Sequence, residues 1–283
     1  MNVVFRVAAG PRIGFGHLVR CRSLARALGV APVVSIRGTT RTRQRAASAG
    51  WTVVGTRELW TSRPSVIVVD DPSPRQVRAV TRAARSRGAI AVSITDLGAS
   101  AKFAVLDPSV ARARRGASGA KSRVLIALGG GAHVFVFAGK ISREIARRVP
   151  GVEIVAAAGF SSRARKPVLG RGRWIAAPNG LAKELSRAAV AVVAGGVTLY
   201  EACAIGVPAV ALAVVKAQRP TIRQFARQRA VVDAKQVGRV AGHVARLLDD
   251  SVERRRLSSA GRRAVDGRGV FRVAGRIRKL HAA

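Results

Sequence analysis

Apolar residues in the first hundred positions fall into short runs, each followed by a stretch with helical spacing. Val3-Val4-Phe5-Arg6-Val7 reads as a buried first strand. Over residues 18–28, Leu18, Leu24, Ala25 and Leu28 recur near helical spacing, with Arg20, Arg22 and Arg26 among the outward positions. Residues 33–36 predict a second strand, 41–49 a short helix and 52–54 a brief strand. The run Val66-Ile67-Val68-Val69 is continuous and β-branched, the pattern of a central strand buried on both faces. It ends at Asp70-Asp71-Pro72. Pro74 then suits the first turn of a helix to about residue 87, and residues 89–94 form the next strand. Strands alternating with helices predict a parallel sheet with helices on its faces.

Residues 111–122 are short of large apolar side chains and rich in Arg, Ala, Gly and Ser, as in a linker. The pattern then restarts: a strand at 124–128, the glycines Gly129-Gly130-Gly131, a helix at 134–148 and a strand at 152–157. A helix at 181–188 and strands at 190–193 and 209–212 follow. The expected fold class is therefore α/β, with two Rossmann-like domains facing a cleft. Residues 1–115 form the first domain, and residues 122–283 form the second with the C-terminal helices. Packing of those helices back on the first half is the alternative.

Two glycine turns carry the candidate chemistry. The first is Gly14-Phe15-Gly16-His17, between strand and helix. Glycine lets backbone approach a ligand closely, and a helix N-terminus directs N–H groups at anions. A histidine there can take or give a proton beside a bound phosphate or sugar, or simply be packed in a tight turn. Ligands of parallel sheets gather at the carboxyl ends of strands, where His17, Asp70, Asp71 and Asp96 all fall. The second turn is Gly195-Gly196-Val197-Thr198-Leu199-Tyr200-Glu201, after the strand at 190–193. Thr198 is expected to cap the next helix, with Glu201 three residues on at capping-box spacing. Alternatively, the Glu201 carboxylate accepts two ribose hydroxyls. Gly206-Val207-Pro208 should end the helix.

Composition narrows the classes. The 283 residues are 48% hydrophobic, enough for a large core, and no apolar stretch reaches the length of a membrane span. No signal peptide is evident at the start. Two cysteines, Cys21 and Cys203, are too few for a disulfide framework and suit a reducing cytoplasm. Fifty-one Lys+Arg against fourteen Asp+Glu give a net charge of +37. That field attracts nucleic acid, anionic membrane or anionic substrates without choosing among them. The arginines are scattered, aromatics are only 4%, and no zinc-finger or aromatic RNA-binding pattern occurs. No specific nucleic-acid partner is therefore expected, and peripheral contact with a membrane surface stays open. No His/Cys cluster has zinc-ligand spacing and no Asp-x-Asp pair occurs, so no metal or other cofactor is expected. A dinucleotide-binding oxidoreductase fits poorly. Val19 stands at the third fingerprint glycine, and the second strand ends at Arg37 rather than an acidic ribose ligand.

Taken together and in this order, Gly14-Phe15-Gly16-His17 and the 195–201 motif resemble the two-domain GT-B sugar-nucleotide enzymes. The chain is most similar to the UDP-2,4-diacetamido-2,4,6-trideoxy-β-L-altropyranose hydrolases of pseudaminic acid biosynthesis. It is more distantly similar to the transferase that adds N-acetylglucosamine to lipid-linked muramyl peptide. The resemblance runs from Phe5 to about Val232. It implies a UDP-sugar substrate, His17 as catalytic base, and Gly195, Gly196, Thr198 and Glu201 as diphosphate and ribose ligands. It further implies Gln218 at the sugar, with Gly14, Gly16, Asp70, Asp71 and Gly130 as other substrate contacts. Pro72 stands where those hydrolases tend to carry an aromatic, and Ala132-His133 where they often carry Ser-Asp-Pro. The implied reaction is release of UDP by water attacking the anomeric carbon, with metal-independent glycosyl transfer as the alternative. A basic nucleic-acid-binding protein is the alternative from another class.

Overall fold

The structure is a computed structural model describing residues 1–10, 13–94, 101–108, 110, 113, 123–129, 133–158, 168–177 and 180–283. It divides into two compact units, Met1–Asp107 with Arg268–Ala283, and Pro108–Gly267.

The first unit is built on a five-stranded parallel sheet. Its strands are β1 (Val3–Ala8), β2 (Val33–Arg37), β3 (Thr52–Val54), β4 (Val66–Asp70) and β5 (Ile90–Ser93), in the order β3-β2-β1-β4-β5. The helices between these strands are α1 (Gly16–Leu28), α2 (Thr40–Ser48), α3 (Thr56–Thr61) and α4 (Pro74–Arg85). All five residues of β4 are buried, as expected of a β-branched strand flanked on both sides. Val4, Ile67 and Val69 pack with Leu59 of α3 and Ala84 of α4 in one core cluster. Helix starts follow local chemistry. Thr39 accepts the Thr42 N–H ahead of α2, and Ser73 accepts the Gln76 N–H ahead of Pro74 in α4. Gly29 ends α1 in the left-handed conformation that glycine adopts without strain.

The second unit repeats the architecture with six parallel strands. These are β6 (Arg123–Ala127), β7 (Glu153–Ala158), β8 (Arg173–Ala176), β9 (Val190–Ala194), β10 (Ala209–Leu212) and β11 (Val232–Asp233), in the order β11-β10-β9-β6-β7-β8. Its longer helices among the described residues are α5 (His133–Arg148), α6 (Ala182–Arg187), α7 (Val197–Ile205), α8 (Arg219–Arg227), α9 (Val240–Asp249) and α10 (Ser251–Ala264). Alternate residues of β6, β9 and β10 face Ala138, Ile141 and Ile145 of α5 and Val240, Val244 and Leu247 of α9 in one core cluster. Thus two parallel, Rossmann-like sheets recur in one chain. The linker expected at 111–122 lies, apart from Ala113, outside the described residues.

The last helix, α11 (Gly269–Ala282), packs in the first unit, whereas limits of 1–115 and 122–283 would assign it to the second. Helix packing supplies the reason. Arg278 donates to the Ala27 carbonyl at the end of α1, and Arg272 to the Lys102 carbonyl. The Arg276 guanidinium lies 4.4 Å from the Phe103 ring centre. Gly269 allows the approach, because a Cβ there would stand 2.2 Å from the Ala104 carbonyl oxygen. Gly269→Ala should therefore destabilise the protein by about 1–3 kcal/mol, the usual cost of overpacking against backbone. Gly275→Ala meets nothing within 4 Å among the described residues. It should leave stability unchanged or raise it by about 0.5–1 kcal/mol, since glycine inside a helix costs that much relative to alanine. Denaturant midpoints of the two variants check the pair.

Candidate functional site

The first unit assembles one cluster at the carboxyl end of its sheet. After β1 the chain makes a narrow turn in which Gly10 and Gly14 exchange backbone hydrogen bonds of 3.1 and 2.7 Å. Both have positive φ, +154° and +90°, which glycine tolerates and branched residues do not. Phe15 then starts α1, with no side chain capping its first turn and no acidic residue in it. His17 is the second residue of that helix. In the sheet register Val7 of β1 pairs with Asp70, the last residue of β4, so the carboxylate arrives beside the first turn of α1.

His17 Nδ1 lies 2.7 Å from Asp70 Oδ1. Arg20, one turn along α1, donates Nε to Asp70 Oδ2 and Nη2 to Oδ1, both at 2.5 Å. Cys21 Sγ lies 3.6 Å from Oδ2. Burial alone would push the Asp70 carboxyl up. Hydrogen bonds and charge from Arg20, joined by His17, instead hold it below its ordinary value. The Cys21 thiol is pushed far up by burial and by the neighbouring Asp70, so it is a neutral packed group and not a nucleophile. The tautomer of His17 follows from its neighbours. Asp70 is an ionised acceptor at 2.7 Å, whereas the donor Arg20 Nη2 lies further off at 3.1 Å, so the shorter contact sets the choice and a proton on Nδ1 satisfies it. A bare Nδ1 would set lone pair against lone pair there. Nε2 is then the basic nitrogen.

The acidic pair at the end of β4 thus splits. Asp71 turns to Arg37 at the end of β2, receiving Nε and Nη2 at 2.7 Å each, and accepts the Ser73 N–H at 2.8 Å. Burial pushes the Asp71 carboxyl up, and these donors bring it below its ordinary value. Arg37, which stands where a dinucleotide fold would carry an acidic ribose ligand, has its fork occupied by this carboxylate. Asp96 and Gly130 lie outside the described residues.

The second unit brings its own candidates together at the carboxyl end of β9. Gly195 is buried, and a Cβ on it would stand 2.8 Å from the Gln218 Cβ and 3.0 Å from the Gln218 carbonyl oxygen. This glycine is therefore required by close approach of the segment after β10. The Gln218 side-chain oxygen accepts the Val214 N–H at 3.0 Å, which leaves its amide nitrogen as the donor end. Gly196, not Thr198, occupies the cap position of α7, and no side chain caps this helix. The expected Thr198 cap with Glu201 in a capping box is thus corrected. β9 ends at Ala194, two glycines complete the turn, and the helix begins at Val197 with Thr198 already inside it. Glu201 lies half-buried in the second turn of α7. Gly206 ends the helix as expected, with φ +84° and its N–H on Ala202 and Cys203 carbonyls. Ser258 of α10 donates to the Gly206 carbonyl at 2.6 Å.

Arg20 was not among the expected site residues, because its position reads as outward from periodicity while the structure buries it. Among the described residues no three His, Cys, Asp or Glu side chains are grouped to hold a metal ion. No helix among them is long and apolar enough to cross a membrane.

Asp70→Asn should cost about 3–5 kcal/mol at neutral pH, the penalty for leaving a buried arginine without its charge partner. The Asp70 carboxyl is held low in the folded state. Its stabilisation is therefore fully present above the unfolded value of about 3.9 and lost as pH falls through the folded one. Urea midpoints of wild type and variant should accordingly differ at pH 7 and converge below about pH 4.

Residues 177–264 match the family model of glycosyl transferases group 1. The chain is 34% identical over 115 residues to the spore coat polysaccharide biosynthesis protein SpsG of Bacillus subtilis (strain 168). That match takes in 38% of this chain and spans 34% of the length of that protein. Among solved structures, the spinosyn rhamnosyltransferase SpnG complexed with thymidine diphosphate superposes with a TM-score of 0.62 at 18% identity, covering 99% of this chain and 100% of that one. The UDP-GlcNAc 2-epimerase of Neisseria meningitidis bound to UDP-GlcNAc superposes with a TM-score of 0.61 at 11% identity, covering 99% and 100%. With its two parallel Rossmann-like sheets, the chain has the GT-B fold of this rhamnosyltransferase and the epimerase, and its residues 177–264 carry the pattern of glycosyl transferases group 1.

Proposed function

We propose that the chain is a nucleotide-sugar enzyme that releases UDP from a UDP-activated amino or deoxy sugar, with water as the nucleophile. The carrying observation is the His17–Asp70 contact of 2.7 Å, which leaves Nε2 of His17 as a base at the end of a parallel sheet. In this reading Nε2 takes a proton from water as its oxygen attacks the anomeric carbon. The bond from that carbon to the UDP oxygen breaks, and UDP leaves with the electron pair. The sugar is released with a hydroxyl at that carbon. General-base help of this kind is worth on the order of 10²–10⁴-fold.

The second unit supplies the nucleotide ligands. The uncapped start of α7 offers backbone N–H groups and the positive end of the helix dipole to the diphosphate. Gly195, Gly196 and Thr198 line that turn, Glu201 accepts the ribose hydroxyls, and Gln218 donates its amide to the sugar. In the first unit, Gly14 and Gly16 shape the turn before His17. Asp70 acts through His17 rather than on substrate, and Asp71 through Arg37. The UDP-GlcNAc and thymidine diphosphate bound in the two superposed structures support a nucleoside diphosphate as ligand class. The glycosyl transferases group 1 match favours a second reading on the same site, transfer to a sugar or lipid hydroxyl instead of water. In that reading His17 deprotonates the acceptor hydroxyl.

A screen of UDP-, CMP-, GDP- and dTDP-sugars should show release of UDP from a UDP-sugar without added acceptor. Release only when a second sugar or lipid is present makes the protein a transferase. His17→Asn should lower turnover by about 10²-fold or more while leaving UDP-dependent thermal stabilisation nearly intact. Wild-type turnover in that variant overturns the base. Glu201→Ala should weaken UDP binding by roughly 1.5–3 kcal/mol, the worth of a charge-assisted hydrogen bond. Undiminished binding in a folded Glu201→Ala protein confines Glu201 to a structural role in α7.

A further inference from the structure

Arg20 lies in the first unit, 5% exposed, on the same helix as His17 and one turn beyond it. Its guanidinium grips both oxygens of Asp70, and its Nη2 also lies 3.1 Å from His17 Nδ1. We infer that Arg20 is a positioning residue for His17. By holding both carboxylate oxygens it fixes where Asp70 sits and balances its charge, so that His17 keeps its proton on Nδ1 and its lone pair on Nε2. This rests on the reading of His17 as a base.

Two physical consequences follow. A carboxylate with only one partner can rotate about its Cβ–Cγ bond and offer either oxygen, and the imidazole would follow it. The bidentate fork removes that freedom, because Nε and Nη2 are rigidly spaced and match the two oxygens. The second consequence is electrostatic. An unbalanced carboxylate 2.7 Å from a ring nitrogen favours the protonated imidazolium, which is useless as a base. The arginine cation offsets that pull. Among the described residues, the charged and titratable groups joined to the His17–Asp70 pair are Asp70 itself from β4, with Arg20 and Cys21 from α1. Cys21 is neutral, and the adjoining Asp71 is matched by Arg37. Arg20 is thus the cation that sets the balance at Asp70.

The test compares Arg20→Gln and Arg20→Lys with wild type and His17→Asn, reading kcat against pH for UDP release, KM, and UDP-dependent thermal stabilisation. Arg20→Gln should lower kcat by about 10-fold or more with little change in UDP stabilisation. It should also move the acidic limb of the profile to higher pH by about one unit, as removal of a cation within about 4–6 Å does. Arg20→Lys keeps the charge but not the fork. It should leave the limb near its wild-type position while kcat still falls. In wild type, nitrogen chemical shifts of the His17 ring should report the proton on Nδ1, a readout that needs no variant to fold. Wild-type kcat and limb in both Arg20 variants overturn the inference, as does an equal loss in both with no movement of the limb, or a His17 proton on Nε2. If His17→Asn turns over at the wild-type rate, the base reading itself fails; if it is inactive while both Arg20 variants match wild type, only the role of Arg20 fails.

Discussion

One buried carboxylate organises the first unit's chemistry. Asp70 ends the most buried strand of its sheet, where an uncompensated charge would be too costly to keep. It survives there because α1 brings Arg20 and His17 to it from two successive turns. That in turn depends on the β1–β4 register, which pairs Val7 with Asp70, and on the Gly10–Gly14 turn, which delivers the start of α1 over the strand end. A slip of one residue in that register would turn the carboxylate to the other face of the sheet. The orientation of His17, its tautomer and the packing of α1 all rest on this one contact set.

The second unit solves a different problem with a different device. It relies on absence of side chain: Gly195 lets the Gln218 segment close down on the turn, and Gly196 starts α7 without a capping side chain. The strongly basic composition adds a positive field around both units. Such a field raises the rate at which anionic ligands arrive but does not choose among them. The acidic residues that remain are put to structural use where partners are visible. Asp71 holds Arg37, and Glu184 and Glu153 flank the buried Arg123 at the start of β6.

The strand–helix alternation was readable because the central strands are continuous, β-branched and buried on both faces. Residues 66–69, 124–128, 190–193 and 209–212 needed no tertiary information, and the structure moves their ends by a residue at most. The elements that escaped are short and at edges. β8, with the sequence Arg-Trp-Ile-Ala, and the two-residue β11 lie at opposite edges of their sheet, where burial is partial and periodicity weak. Helix α3 has only six residues, and α8 was hidden by the polar run from Arg219. The shift of the helix start from Thr198 to Val197 turned on how few residues two glycines need to make a turn.

The sequence by itself determined the two α/β halves, the glycine turns at 14–16 and 195–196, and the placement of His17 after the first strand. Local chemistry specifies these: hydrophobic runs, turn residues, and glycine where φ is positive or backbone must come close. Tertiary structure decided how the neighbouring acids divide their labour, sending Asp70 to α1 and Asp71 to Arg37, because sheet order sets which strand ends are neighbours. It also decided that Arg20, outward by periodicity, is buried against Asp70, and that α11 packs in the first unit against α1. Those outcomes depend on contacts between residues dozens to hundreds of positions apart, and no local pattern encodes which distant partner a side chain will meet.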